Sequence, residues 1–279
     1  MPVILSLSSQ VARGHVGNSA AVFVWQRLGF EVIALPTILL SNRPDYPHRA
    51  GERVRPELLE QMLEAIDANG WLDGVDAVFT GYLPSPAHVA LAAHLVGKLR
   101  GRRPGLSYCC DPILGDEPGG LYIAEEAAAA IRARLVPLAD LLTPNRFELG
   151  WLTEASIASG ADAVTAAKKL GCMVLASSAP GDLDSDLVNL LVAGGRAWQA
   201  VVARRNAVPH GTGDVMAALF LAQILRSRTP PDALALATGG LEVIIEASAG
   251  LEELDMIGSQ DAWAVSPPWP VSTLRAQTQ

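Results

Sequence analysis

Apolar runs of strand length alternate along this chain with helical segments, and nearly every run ends in a small cluster of polar residues. VILSL (3–7), EVIALPTILL (31–40), DAVFTGY (76–82), LSYCCDP (106–112) and DLLTPN (140–145) read as strands. NSAAVFVWQRLG (18–29), RPELLEQMLEAIDANGWL (55–72), SPAHVALAAHLVGKLR (85–100) and AEEAAAAIRARLVPLA (124–139) read as helices between them. Asn18 is the expected N-cap of the first helix and Gly29 its stop. Pro36 argues against a central, unbroken strand at 31–40, because proline lacks the N–H that a ladder needs. This rhythm predicts an α/β fold, a parallel sheet with helices on both faces. Ligands of such sheets sit beyond the carboxyl ends of the strands. Ser8-Ser9-Gln10, Ser41-Asn42, Gly81-Tyr82, Asp111-Pro112, Thr143-Pro144-Asn145 and Ser177-Ser178 are therefore expected along one edge.

The pattern changes after residue 186. LVNLLVAGGRAWQAVVARR (187–205) is a hairpin signal centred on Gly194-Gly195. One helix is expected after Asp214 and another from Pro231 to about Ala249, followed by an irregular, proline-rich tail from about 262 to 279. No repeat or long linker divides the 279 residues, so a single domain over 1–279 is expected. Half the residues are hydrophobic and 18% are charged, enough to bury a large core. The net charge of −8, with no basic stripe, argues against nucleic acid as a partner. Three cysteines without a CxxC pair read as reduced thiols. MPVILSLSSQ lacks the features of a signal peptide, and runs such as AALFLAQIL fall short of the roughly 20 residues a membrane span needs. A cytoplasmic protein is the expectation.

Three stretches could carry chemistry. In HGTGDVMAALFLAQIL (210–225) a glycine turn meets an apolar helix. The first turn of a helix presents unpaired N–H groups and a partial positive charge, and glycines let a ligand approach the backbone closely. Gly211-Thr212-Gly213 is thus a credible phosphate cradle, though the GxxxxGK[ST] pattern of a P-loop is absent. Asp214, itself anionic, would orient and deprotonate an attacking hydroxyl; the alternative is a capping acid in the first helical turn. Asn145 and Glu148 in TPNRFEL could serve Mg²⁺ near phosphates, or form an ordinary helix start. SSQVARGHVGNSA (8–20) could hold a small polar ring, or be a plain βα loop.

Taken together, SSQVARGHVGNSAA, LPTILLSNRPDYPHRAG, Gly81-Tyr82, CDPILGD (110–116), TPNRFEL (143–149) and HGTGD resemble the pyridoxal kinases of the ribokinase-like superfamily, in order and spacing, up to about residue 250. GTGD alone indicates only the superfamily; a hydroxymethylpyrimidine kinase, which shares it, is the nearest alternative, and the N-terminal loop SSQVARGHVGN discriminates against it. The resemblance implies a three-layer sandwich with a central, mostly parallel sheet, a homodimer, and ATP-dependent phosphorylation of the 5′-hydroxymethyl group of pyridoxal, and of pyridoxine or pyridoxamine as further substrates. By family position Asp214 is the catalytic base and Gly211, Thr212 and Gly213 form the anion hole. Ser9, Asn42, Tyr82 and His210 lie at the substrate. Asp111, Thr143, Asn145, Glu148, Ser177 and Ser178 lie at ATP, with Asp111, Asp116 and Glu148 at Mg²⁺ and a K⁺ ion nearby. GGLYIAEE (119–126) falls in the family's mobile segment. The chain departs from the family at Gln10, at Pro44, where threonine is usual, at His210, and in lacking a lysine in the strand after Cys172. A non-catalytic carrier of pyridoxal phosphate is the alternative of another class, and it has no need of a positioned proton acceptor.

Overall fold

The computed structural model describes residues 1–274, which divide into two compact units. The first comprises Met1–Leu114 and Leu121–Asp140. It contains β1 (Val3–Val11), α1 (Asn18–Arg27), β2 (Glu31–Leu40), β3 (Gly51–Arg53), α2 (Pro56–Ala68), β4 (Val75–Thr80), α3 (Pro86–Arg102), β5 (Ser107–Cys110) and α4 (Glu125–Arg134). Its strands run in the order β3-β2-β1-β4-β5. The β2–β1, β1–β4 and β4–β5 pairings are parallel, and β3 adds an antiparallel edge. Ile4, Leu5 and Leu7 of β1 and Val78 and Phe79 of β4 are fully buried, as expected of strands covered on both faces. Trp25 of α1 packs edge-on against Phe79, with ring centroids 5.2 Å apart.

The structure departs from two local expectations. Asn18 is the first residue of α1 rather than its N-cap, which is Gly17. The Asn18 side chain is buried: it accepts a hydrogen bond from Ser6 Oγ (2.7 Å) and donates to the carbonyls of Ser8 and Leu35. It stitches β1 and β2 to the helix start, a tertiary demand that overrode its capping preference. β1 continues to Val11, so Ser8-Ser9-Gln10 lie within the strand rather than beyond it. The Pro36 reading holds: the β1–β2 register slips between Ser8 and Ser9, leaving Thr37 as an extra residue. Thr37 Oγ1 instead donates to the Tyr82 carbonyl at 2.6 Å.

The second unit comprises Gly115–Gly120 and the residues from Leu141 onward. Its elements are β6 (Gly115–Asp116), β7 (Gly120–Leu121, at the passage between units), β8 (Leu141–Leu142), α5 (Arg146–Thr153), α6 (Gly160–Lys169), β9 (Met173–Pro180), β10 (Asp186–Ala193), β11 (Arg196–Ala203), α7 (Thr212–Leu225), α8 (Pro230–Ala247), α9 (Gln260–Trp263) and β12 (Ser272–Leu274). The strand order is β8-β9-β10-β11-β12, parallel at β8–β9 and antiparallel beyond. The expected hairpin is present, and Gly194 and Gly195 both take positive φ (54° and 78°), as a tight two-residue turn requires. The run 140–145 keeps only two strand residues, because Pro144 and the start of α5 end it. In the expected irregular tail, α9 ends at Trp263 and β12 extends the sheet, while residues 275–279 lie outside the described ones. Cys109, Cys110 and Cys172 form no disulfide. Among the described residues no helix is long and apolar enough to cross a membrane.

Candidate functional site

α7 begins at Thr212, three residues earlier than the sequence suggested, so Gly213 and Asp214 lie inside its first turn. Gly211 is the N-cap at φ 104°, a left-handed conformation open to glycine, and no side chain caps the helix. The first-turn N–H groups therefore have no side-chain partner, and such a helix start can receive an anion. Asp214 sits half-buried at the third helical position, which suits a capping acid and a proton acceptor equally in location. A Cβ added to Gly213 would meet nothing within 4 Å, so open space lies over the turn.

Ser177 and Ser178 approach the same helix through an irregularity of β9. Against β10, Ala179 pairs with Val188 and Ala176 with Leu190, so two serines stand opposite Asn189 alone. This bulge puts Ser178 at φ 56° and turns both serines to a cavity of about 220 Å³ in the second unit. Thr212 and Gly213 line the cavity, and Leu187, Val202, Met216 and Leu241 make it largely apolar. Three polar residues that the sequence reading missed also line it: Asn189, Arg205 and Glu242. Glu242 is 6% exposed, and burial pushes its carboxyl above the usual range although Arg205 pulls it down. The available signal was a single acid within the apolar helical run LEVII.

Asn145 and Glu148 form a complete capping box. Asn145 Oδ1 accepts from the Glu148 N–H, and Glu148 Oε2 accepts from the Asn145 N–H, each at 2.9 Å. This bears out the helix-start alternative, with one addition: Asn145 Nδ2 donates to the Gly115 carbonyl at 2.8 Å, which holds β6 and Asp116 beside the start of α5. The N–H of Ser177 donates to the Pro144 carbonyl, so the same corner reaches the β9 bulge. Thr143 Oγ1 is buried without a hydrogen-bond partner among the described residues, as suits a hydroxyl awaiting a ligand. No group of three or more His, Cys, Asp or Glu among the described residues is arranged to hold a metal.

The residues expected at the substrate lie in the first unit, except His210, which is exposed just before α7. Gly17 has φ 55°, and a Cβ there would lie 2.1 Å from Ser9 Oγ, so glycine is what lets the loop close over Ser9. Gly81 plays the same part for Ser8, whose Oγ accepts from the Tyr82 N–H at 3.2 Å. Gln10 Nε2 donates to Ser19 Oγ on α1. Asn42 is engaged within its own loop, donating to the Arg43 and His48 carbonyls and accepting from Ser41 Oγ. Asp111 is buried, and its N–H donates to the Thr80 carbonyl at the end of β4.

The family model described as phosphomethylpyrimidine kinase matches residues 29–257. Pyridoxal kinase PdxY of Deinococcus radiodurans is 36% identical over 274 residues, covering 92% of this chain and 91% of the relative. A pyridoxine/pyridoxal/pyridoxamine kinase of Bordetella bronchiseptica is 36% identical over 247 residues, covering 86% and 87%. The structure of Leishmania donovani pyridoxal kinase in complex with ADP and pyridoxamine superposes with a TM-score of 0.92 at 31% identity, covering 99% of this chain and 100% of that one. The expected ribokinase-like α/β sandwich with its mostly parallel central sheet is thereby borne out. The chain belongs to the phosphomethylpyrimidine kinase family, and within it to the pyridoxal kinases.

Proposed function

We propose that this kinase transfers the γ-phosphoryl group of ATP to the 5′-hydroxymethyl group of pyridoxal, giving pyridoxal 5′-phosphate, and accepts pyridoxine and pyridoxamine as further substrates. The observation that carries the reading is the uncapped start of α7, with Asp214 in its first turn, bordering a cavity that Ser177 and Ser178 also line. Gly211, Thr212 and Gly213 present N–H groups to the transferring phosphoryl, whose equatorial oxygens carry the spread charge of a loose transition state. Asp214 accepts the proton of the attacking hydroxyl. The positive end of a helix weakens a carboxylate as a base, but phosphoryl transfer depends more on positioning than on basicity.

Ser177, Ser178, Thr143 and Asn145 bind the phosphate chain; the orphaned hydroxyl of Thr143 supports that role. Mg²⁺ takes most of its ligands from phosphate and water, so it would need few carboxylates from the protein, and Asp111, Asp116 and Glu148 are the residues that would serve it. When bound, it neutralises phosphate charge, and K⁺ adds a second, weaker neutralising ion. Ser9, Asn42, Tyr82 and His210 hold the pyridine ring. The relatives named for pyridoxal support this substrate over hydroxymethylpyrimidine. We extend the reading to a cytoplasmic homodimer, testable by light scattering and by cell fractionation.

The deciding experiment is ATP-dependent formation of pyridoxal 5′-phosphate by the purified chain with Mg²⁺ and K⁺, beside Asp214→Asn, with hydroxymethylpyrimidine in parallel. The native chain forms product, and the variant loses about 10²-fold or more in turnover. Native turnover by the variant removes Asp214 as the base. Product from hydroxymethylpyrimidine alone overturns the substrate assignment.

A further inference from the structure

The cavity beside α7 contains a charged pair that phosphoryl transfer does not use. Glu242 of α8 lines the cavity with Leu241 and Ile245, and it is 6% exposed. Arg205 Nη1 lies 2.8 Å from Glu242 Oε2. The contact pairs the charges but gives that oxygen no in-line hydrogen bond, and Oε2 is otherwise buried without one. Desolvating a carboxylate in this way is costly, and an apolar residue of similar volume would pack there with less penalty. A group kept at such a cost, facing a cavity, is a candidate for ligand recognition.

The ligand's chemistry follows from the neighbours. Thr212 and Gly213, which offer N–H groups suited to phosphate, line the same cavity. Phosphate next to Glu242 would be repelled, so the part of ATP facing the carboxylate must be neutral and must donate a hydrogen bond. Only the nucleoside half meets both conditions, through a ribose hydroxyl or the amino group of adenine. The apolar walls suit a flat base. Resting on the proposed ATP-dependent activity, we infer that Glu242, oriented by Arg205, is the residue that reads the nucleoside of the phosphoryl donor, accepting a hydrogen bond from it.

The test is calorimetric binding of ATP, 2′-deoxy-ATP, 3′-deoxy-ATP and inosine triphosphate to the full chain without pyridoxal, for the native protein, Glu242→Met, Glu242→Gln and Arg205→Met. The native chain binds at least one analogue about tenfold more weakly than ATP, and that analogue identifies the donor, because a lost bond to a charged acceptor is worth about that factor. Glu242→Met abolishes the preference, Glu242→Gln reduces it because a neutral amide is a weaker acceptor, and Arg205→Met, which leaves the carboxylate without the cation that orients it, reduces it as well. Equal native affinity for all four nucleotides overturns the inference while leaving the kinase assignment standing. The same holds if either Glu242 variant keeps the full native preference. If the native chain fails to bind ATP at all, the kinase reading falls with it.

Discussion

Replacing Gly17 by alanine tests whether the N-terminal loop is held closed over Ser9 by glycine itself. Gly17 has φ 55° and ψ −136°, a combination that an L side chain rarely adopts. Forcing alanine into it costs about 1–3 kcal/mol. The new Cβ would stand 2.1 Å from Ser9 Oγ and 2.5 Å from the Ser9 carbonyl oxygen, so strand or loop must move. Overpacking of that kind adds about 1–3 kcal/mol. The expected loss is about 2–6 kcal/mol, a large part of the roughly 5–15 kcal/mol that a folded protein has. Urea unfolding should show a lower midpoint with an unchanged slope. Because Ser9 is displaced, KM for pyridoxal should rise well above KM for ATP, since shifts of about 1 Å can cost about 10²-fold. Gly29→Ala is the control: φ is 84°, but nothing lies within 4 Å of the added methyl, so only backbone strain remains. A Gly17→Ala midpoint no lower than that of Gly29→Ala would refute the steric reasoning.

Two further outcomes follow from particular contacts. Gly213→Ala should leave stability unchanged or slightly higher, since its methyl meets nothing and alanine is the better helix former, yet it should lower turnover by covering the first-turn N–H groups; native turnover would mean that phosphate does not approach there. His88 is held neutral by burial, with Ser85 Oγ 2.7 Å from Nδ1, the Val54 carbonyl 2.8 Å from Nε2, and Arg53 and Glu57 acting at longer range. Its pKa lies below the ordinary 6.5, so the unfolded chain binds the proton first and stability is lost as pH falls through that value. His88→Gln should flatten the stability curve between pH 7 and 5, and parallel curves for the two proteins would count against the assignment.

The course of the chain was legible wherever local chemistry decides it. Glycine fixes the 194–195 hairpin and the stop at Gly29, and proline marks the first turn of α2, α3 and α8. What escaped the sequence was set by partners distant along the chain. Asn18 looks like a cap because asparagine usually caps, and only the neighbouring Ser6, Ser8 and Leu35 reveal it as a buried tie. The β9 bulge depends on how β10 pairs, so Ser177 and Ser178 could be recognised as polar but not as a two-for-one irregularity. Asn145 and Glu148 were legible as a motif, and the structure shows that the helix-start alternative is satisfied even if they also serve a ligand. Glu242 was invisible as a cavity residue until α8 and the segment of Arg205 were placed side by side.

The end of the second unit also determines when that unit can be completed during synthesis. The Trp269 N–H donates to the Ala235 carbonyl and its indole to the Val201 carbonyl, while Gly239 leaves just enough room on α8 for the Pro267 carbonyl. β12 then pairs with β11. These contacts are made by residues 267–274, which leave the ribosome after every strand of the first unit has emerged. The first unit can assemble while translation continues, and α8 keeps an uncovered surface until residues 266–274 have emerged. A stop codon just before Ser266 would leave every proposed catalytic residue in the product and still expose the apolar and backbone groups that residues 266–274 cover.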